Sequence, residues 1–357
     1  MGILVTNWLA RTPRLRALVS SPNRVPSFLR TVTNMSTIPG GARLLQAIEA
    51  PLTRSATFLV LAVKPGQDSL DTIRSTLSGV EGLAKNVAIR DLSNSFNCTI
   101  GIGSNIWDDL TKLTRPPELH PLPILKGSVH ATVSTPGDLL FHIRSNRRDI
   151  CFEFERQLLG QLGPSVSVID STIGFRYFDA RDLLGFVDGT ANPVGADTLD
   201  AAVITADTTT PTNNGGSYVV VQKYLHNLST WSALKTEDQE SIIGRTKLDN
   251  VELDDAPEGQ QRSHKTLTTI EDEASGGEYS IVRDNMPFGS PAAGEYGTYF
   301  IGYSKKLWVV ERMLENMFVG DPPGKHDRIL DFSTAVTGTT FFVPSAEVLA
   351  GLGEEVC

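Results

Sequence analysis

Three short stretches carry residue types that could do chemistry together: Gly185–Pro193, Ser263–Leu267 and Ile281–Gly289. The first reads Gly-Phe-Val-Asp-Gly-Thr-Ala-Asn-Pro and sets one carboxylate, Asp188, between two glycines. Glycine lets a chain turn tightly and come close to a flat ligand. An acid fixed in such a turn can move protons where water is scarce. The same residue types also build ordinary surface turns, so this stretch alone is compatible with a solvated loop. The second stretch adds the imidazole of His264; the third adds the guanidinium of Arg283, with the amide of Asn285 two positions on. These groups are too far apart in sequence for a local metal cluster, so only folding can unite them.

The bulk properties bound what such a site could serve. The chain has 357 residues, 40% of them hydrophobic and 20% charged, enough for one large or two medium domains with a sizeable core. A net charge of −9 argues against nucleic acid as the partner, since phosphate binding wants a basic face. Cys98, Cys151 and Cys357 are odd in number and form no CxxC, which excludes a disulfide scaffold and a cysteine-rich zinc site. No run of 18 apolar residues, the length a membrane-spanning helix needs, occurs in the sequence. Residues 1–50 differ in kind: they carry Arg11, Arg14, Arg16, Arg24, Arg30 and Arg43, no lysine, and no acid before Glu49. That composition is expected of a disordered basic tail or an organellar transit peptide, so the protein is placed in the cytoplasm or the mitochondrion.

Beyond Pro51 the pattern is that of a folded chain. Strands are expected at 57–63, 97–102, 130–133, 138–143 and 166–178, with helices at 69–83 and 149–162. A second set follows: strands at 216–223, 280–283 and 297–303, and helices at 235–244 and 307–317. Strand, helix, strand, strand, helix, strand therefore runs twice, which predicts an α+β protein of two ferredoxin-like halves with antiparallel sheets. The halves are bounded at 51–205 and 206–352.

With these blocks in place, the chain resembles the dye-decolorizing peroxidases of the bacterial type called class B. The resemblance spans about Ala56 to Leu352. It rests on GFVDGTANP (185–193), GRTKLDNVELDD (244–255), SHKTL (263–267), IVRDNMPFG (281–289), GTYFIGYS (297–304) and MLENMFVGDPPGKHDRILDFSTAVTG (313–338). It implies a duplicated fold of the dimeric α+β barrel type and one haem b per chain, carried by the second half. The implied activity is reduction of hydrogen peroxide with oxidation of an organic donor such as a dye or phenol. A homo-oligomer is expected.

The same resemblance assigns roles. His264 is the expected iron ligand, with His326 its rival. A ligating imidazole usually donates its second N–H to an acid, and the helix-like run 326–332 offers Asp327 and Asp331 one turn apart; Asp331 is favoured. Asp188 is the expected proton carrier for peroxide, Arg283 stabilises developing negative charge and holds a haem propionate, and Asn285 positions the distal water or peroxide. Gly189, Thr190 and Phe288 are expected against the cofactor. Two other readings stay open: a haem carrier or dechelating protein with incidental peroxidase turnover, and a haem-free ferredoxin-like binding protein.

Overall fold

A computed structural model describes residues 45–354, apart from 258 and 275. The expected N-terminal tail or targeting peptide lies almost wholly outside the described residues.

In the first half the elements are β1 (Ser55–Val63), α1 (Gln67–Ala88), β2 (Asn97–Gly103), α2 (Ser104–Thr111), β3 (Leu139–Ser145), α3 (Arg148–Leu162) and β4 (Val166–Phe175). Helix α4 (Ala196–Ala202) lies in the connection to β5 (Ser217–His226). Then come the short helices α5 (Leu228–Ser232), α6 (Thr236–Ile243) and α7 (His264–Leu267), and a hairpin of β6 (Ile270–Asp272) with β7 (Gly277–Tyr279). The chain closes with β8 (Val282–Arg283), β9 (Met286–Ser290), β10 (Glu295–Ser304), α8 (Leu307–Phe318), β11 (Ser333–Ala335), β12 (Thr339–Val343) and α9 (Ala346–Gly351).

The strand order shows the duplication directly. In the first half it is β4-β1-β3-β2 and in the second β12-β5-β10-β8, the same permutation of four strands, all antiparallel. The halves do not keep separate sheets. Phe341 and Phe342 of β12 pair with Gly103 and Ile102 of β2, fusing them into one ten-stranded sheet. The two inner edges are thus each other's cover, which removes two exposed rows of backbone donors and acceptors.

Alternation along the strands builds two cores. Leu59 and Leu61 of β1 join Leu77 of α1 and Phe154 of α3 on the helical face. Phe58 and Val60 point the other way, toward Tyr299, Ile301 and Phe341. The ring of Phe58 stacks on Tyr299 at 4.1 Å. The sheet curls around this second core until Gly174 of β4 meets Met286 of β9, where a Cβ would come within 2.6 Å of the Met286 Cβ. A buried ion pair crosses the interior: Arg144 of β3 donates to Asp284 at 3.0 Å.

One expected strand is absent: 130–133 makes only a single bridge, Ala131 with Lys126, in a proline-rich loop. Another is longer than expected but broken. β8 and β9 keep one register against β10, with Arg283 opposite Gly302 and Met286 opposite Tyr299. At the break the Asn285 side chain accepts the Ile301 N–H at 3.1 Å, in place of a strand carbonyl.

Candidate active site

Because 282–290 runs as one pleated strand, Arg283 and Asn285 share a face while Asp284, Met286 and Phe288 share the other. The first pair faces a cavity of about 1010 Å³, measured to its open mouth. It lies between the second half's sheet and α8, the position that α1 and α3 fill with side chains in the first half. Gln222, Tyr224 and His226 of β5 and Phe300 of β10 form its floor, and Val310, Met313, Leu314 and Met317 of α8 its opposite wall. The apolar spacing of α8 supplies that wall: Val310, Met313, Leu314 and Met317 fall on one helical stripe.

The acid enters from the loop before the second half. Asp188 lies between Gly185 and Gly189, which hold φ of +96° and +79°, a region costly for any other residue. Arg181 pins this loop by donating to the carbonyls of Gly185 at 2.9 Å, Lys247 at 2.6 Å and Leu248 at 3.0 Å. Asn285 Nδ2 donates to Asp188 Oδ1 at 3.3 Å, so the acid and the amide are held together. Asn192 joins the loop to the strand: its Nδ2 donates to the Arg283 carbonyl at 2.6 Å, and its Oδ1 accepts the Arg283 N–H at 3.0 Å.

Arg283 is partly buried, and its buried Nε–H has no hydrogen-bond partner among the described residues. Burial lowers its pKa from the usual guanidinium range, against the opposing pull of Asp188. It remains a cation under any ordinary condition.

His264 comes from the other side, at the start of the one-turn helix α7, which Ser263 caps by accepting the Thr266 N–H. Its Nδ1 lies 2.6 Å from Asp327 Oδ2. That bond places the ring proton on Nδ1 and leaves Nε2 as the lone-pair nitrogen. Asp327 is itself fixed: its N–H donates to the Met317 carbonyl at 2.8 Å and its Oδ1 accepts the Ile329 N–H at 3.1 Å. Burial disfavours charge on His264, but Asp327 outweighs it and the imidazole pKa ends above its ordinary value.

Two expectations are corrected here. The partner of His264 is Asp327 and not Asp331, whose Oδ1 accepts from His130 and His326. The run Arg328–Asp331 is a 3-10 turn, in which residues four apart diverge by about 120° instead of stacking on one face. Phe288 lies in the interior core among Met286 and Tyr299, on the opposite strand face from the cavity, and Phe300 takes its place. His326 does not line the cavity. Gly189 and Thr190 do not line this cavity but an adjoining, more polar one, with Arg245 and Lys265, which shares Asp188, His264 and Arg283 with it.

Residues 45–176 match the model of the Dyp-type peroxidase N-terminal domain, and residues 179–348 that of the C-terminal domain. The dye-decolorizing peroxidase of Brevibacterium linens is 48% identical over 304 residues, 85% of this chain and 81% of that protein. The chain belongs to the dye-decolorizing peroxidase family. It is accordingly a haem-dependent peroxidase. A variant of DypB from Rhodococcus jostii RHA1, solved in complex with heme, is 52% identical with a TM-score of 0.83, covering 88% of this chain and 100% of that one. The deferrochelatase of Escherichia coli is more distant, 26% identical over 60% of this chain and 54% of that protein.

The residues fit haem. The cavity walls include Leu184, Phe186, Ile243, Ile281, Phe300 and Leu314, the apolar lining a porphyrin face needs. Of the two imidazoles that line the cavity, His264 has its Nδ1 braced by a carboxylate and its Nε2 free to bind, whereas both nitrogens of His226 are engaged by Ser333 and Thr298. A partly buried guanidinium with an unused, buried Nε–H stands at the same cavity. The lining residues Asp182 and His226 were not singled out from the sequence, nor was Arg245 in the adjoining polar cavity. Burial depresses His226 to about 4, so it lines the floor as a neutral ring bonded to Ser333 and Thr298. Asp182 could have been noticed as a second acid six positions before Asp188.

Proposed function

We propose that His264 holds the iron of a haem b through Nε2, and that Asp188, Arg283 and Asn285 work on peroxide across the same cavity. One observation carries this reading: all four side chains line a single apolar cavity although they come from three separate sequence stretches. Bound haem supplies the redox-active iron. Asp188 Oδ1 is engaged by Asn285, so Oδ2 is the oxygen that takes a proton from one peroxide oxygen and returns it to the other. Arg283, partly buried and cationic, stabilises negative charge as the oxygen–oxygen bond breaks. Asn285 positions the acid and the bound peroxide.

The reducing substrate is an organic donor of the dye or phenol class. A homo-oligomer is supported by edge strand β4, where Val168, Ile169, Ile173 and Phe175 are exposed apolar side chains. Division of the folded chain into halves 51–205 and 206–352 is supported by the repeated strand order.

Steady-state oxidation of an organic dye by haem-loaded Asp188→Asn and Arg283→Leu tests the roles. Each is expected to lower turnover by about 10²–10⁴-fold with the Soret band retained. A haem carrier with incidental turnover would show no such loss.

A further inference from the structure

Outside the cavity, two imidazoles converge on one carboxylate oxygen. His130 Nε2 lies 3.0 Å and His326 Nε2 2.8 Å from Asp331 Oδ1. The three come from distant places: His130 is 201 positions from Asp331, whereas His326 is 5 away. The two rings meet edge to face, 4.8 Å between centroids and 73° between planes. All three candidate ligand atoms lie within 4.8 Å of one another. The cluster is neither deeply buried nor fully open, with side chains 27%, 15% and 37% exposed for His130, His326 and Asp331.

The geometry points to a divalent transition-metal site, formed by His130, His326 and Asp331 and separate from the haem cavity. Two imidazole nitrogens and a carboxylate oxygen suit zinc, and equally copper or nickel, better than calcium or magnesium. A tetrahedral ion with bonds of about 2.0–2.2 Å needs ligand atoms about 3.3 Å apart. The two contacts with Asp331 Oδ1 need to open by a few tenths of an ångström, and the two ring nitrogens, within 4.8 Å of each other, to close toward that spacing by small ring rotations. Each imidazole binds as the neutral ring, with its proton moved to Nδ1 and the Nε2 lone pair on the metal. Water completes the fourth position through the exposed side.

The site has a consequence for the active centre. His326 and Asp331 bracket Asp327, the residue bonded to His264. A metal joining them to His130 ties that segment to the loop of the first half and braces Asp327 from both sides. This proposal does not depend on the catalytic roles assigned above.

The test is isothermal titration of zinc chloride into the haem-loaded full chain near pH 7. One equivalent per chain is expected to bind, with affinity at least about tenfold weaker in His326→Ala and in Asp331→Asn. Thermal denaturation gives a second readout: saturating zinc raises Tm in the wild type and not in His130→Gln, which keeps a polar side chain at that position. Absence of zinc binding to the wild type overturns the proposal. So does binding that His130→Gln and His326→Ala leave unchanged, since the metal is then held elsewhere.

Discussion

The side chain of Asn192 closes two hydrogen bonds with the main chain of Arg283, one to its carbonyl and one from its N–H. It pairs with that residue as a neighbouring strand would. The loop that carries Asp188 is thereby stitched to the strand that carries Arg283 and Asn285. The distance from acid to guanidinium is therefore set by an amide that takes no part in proton transfer.

Asn192→Ala leaves both backbone groups without that partner. A loss of about 1–3 kcal/mol of stability is expected, measurable by urea denaturation. Turnover should fall as well, because Arg283 loses its anchor relative to Asp188. Full activity in a folded Asn192→Ala protein would contradict this positioning role.

Asp327→Asn keeps the shape at His264 and removes the charge. Ligand partners of this kind typically contribute about 10–100-fold in metal affinity, so haem should dissociate more readily by that order. Transfer of haem to an excess of apomyoglobin, followed by absorbance, measures it. Equal dissociation rates in variant and wild type would remove Asp327 from the account.

Asp182 predicts a pH dependence of stability. Burial raises its carboxyl from 3.8 to about 7, and the negative charge of Asp188 adds to the rise, against backbone N–H groups of Phe186, Gly185 and Leu184 that favour ionisation. Between those values the native state holds a proton that the unfolded chain has released. Its contribution to stability is therefore full below about pH 4, falls as pH rises toward 7, and levels off above. Each pH unit in that window costs up to about 1.4 kcal/mol, less where water entering the cavity screens the charge. Denaturant unfolding of the haem-free protein at several pH values should show a shallower decline in Asp182→Asn. Parallel profiles for the two proteins would contradict it.

Much of the fold is legible in the sequence because period and burial agree. Leu59 and Leu61 alternate with Phe58 and Val60 between two cores, so a continuous apolar run reads as a strand covered on both faces. The repeated order of elements likewise foretells the two ferredoxin-like halves. Fusion through Phe342 and Ile102 was not legible, because edge pairing depends on shape and not on local pattern. At the site, parity along one strand separates Arg283 and Asn285 from Phe288, a rule available from the sequence once Pro287 is accepted within the strand. The choice between Asp327 and Asp331 was not available. It turns on whether residues 328–331 wind as an α-helix or a 3-10 turn, and a cap bond from Ile329 to Asp327 selects the latter.

The central claim is that His264 presents its Nε2 to a haem iron in this cavity. Titration of the purified haem-free chain with haem, followed by absorbance in the Soret region, tests it most directly. The wild type should saturate at one equivalent with the spectrum of a histidine-ligated haem, and His264→Ala should lose that spectrum, recovering it when imidazole is added. A Soret band unchanged by His264→Ala would place the iron on another ligand and contradict the account.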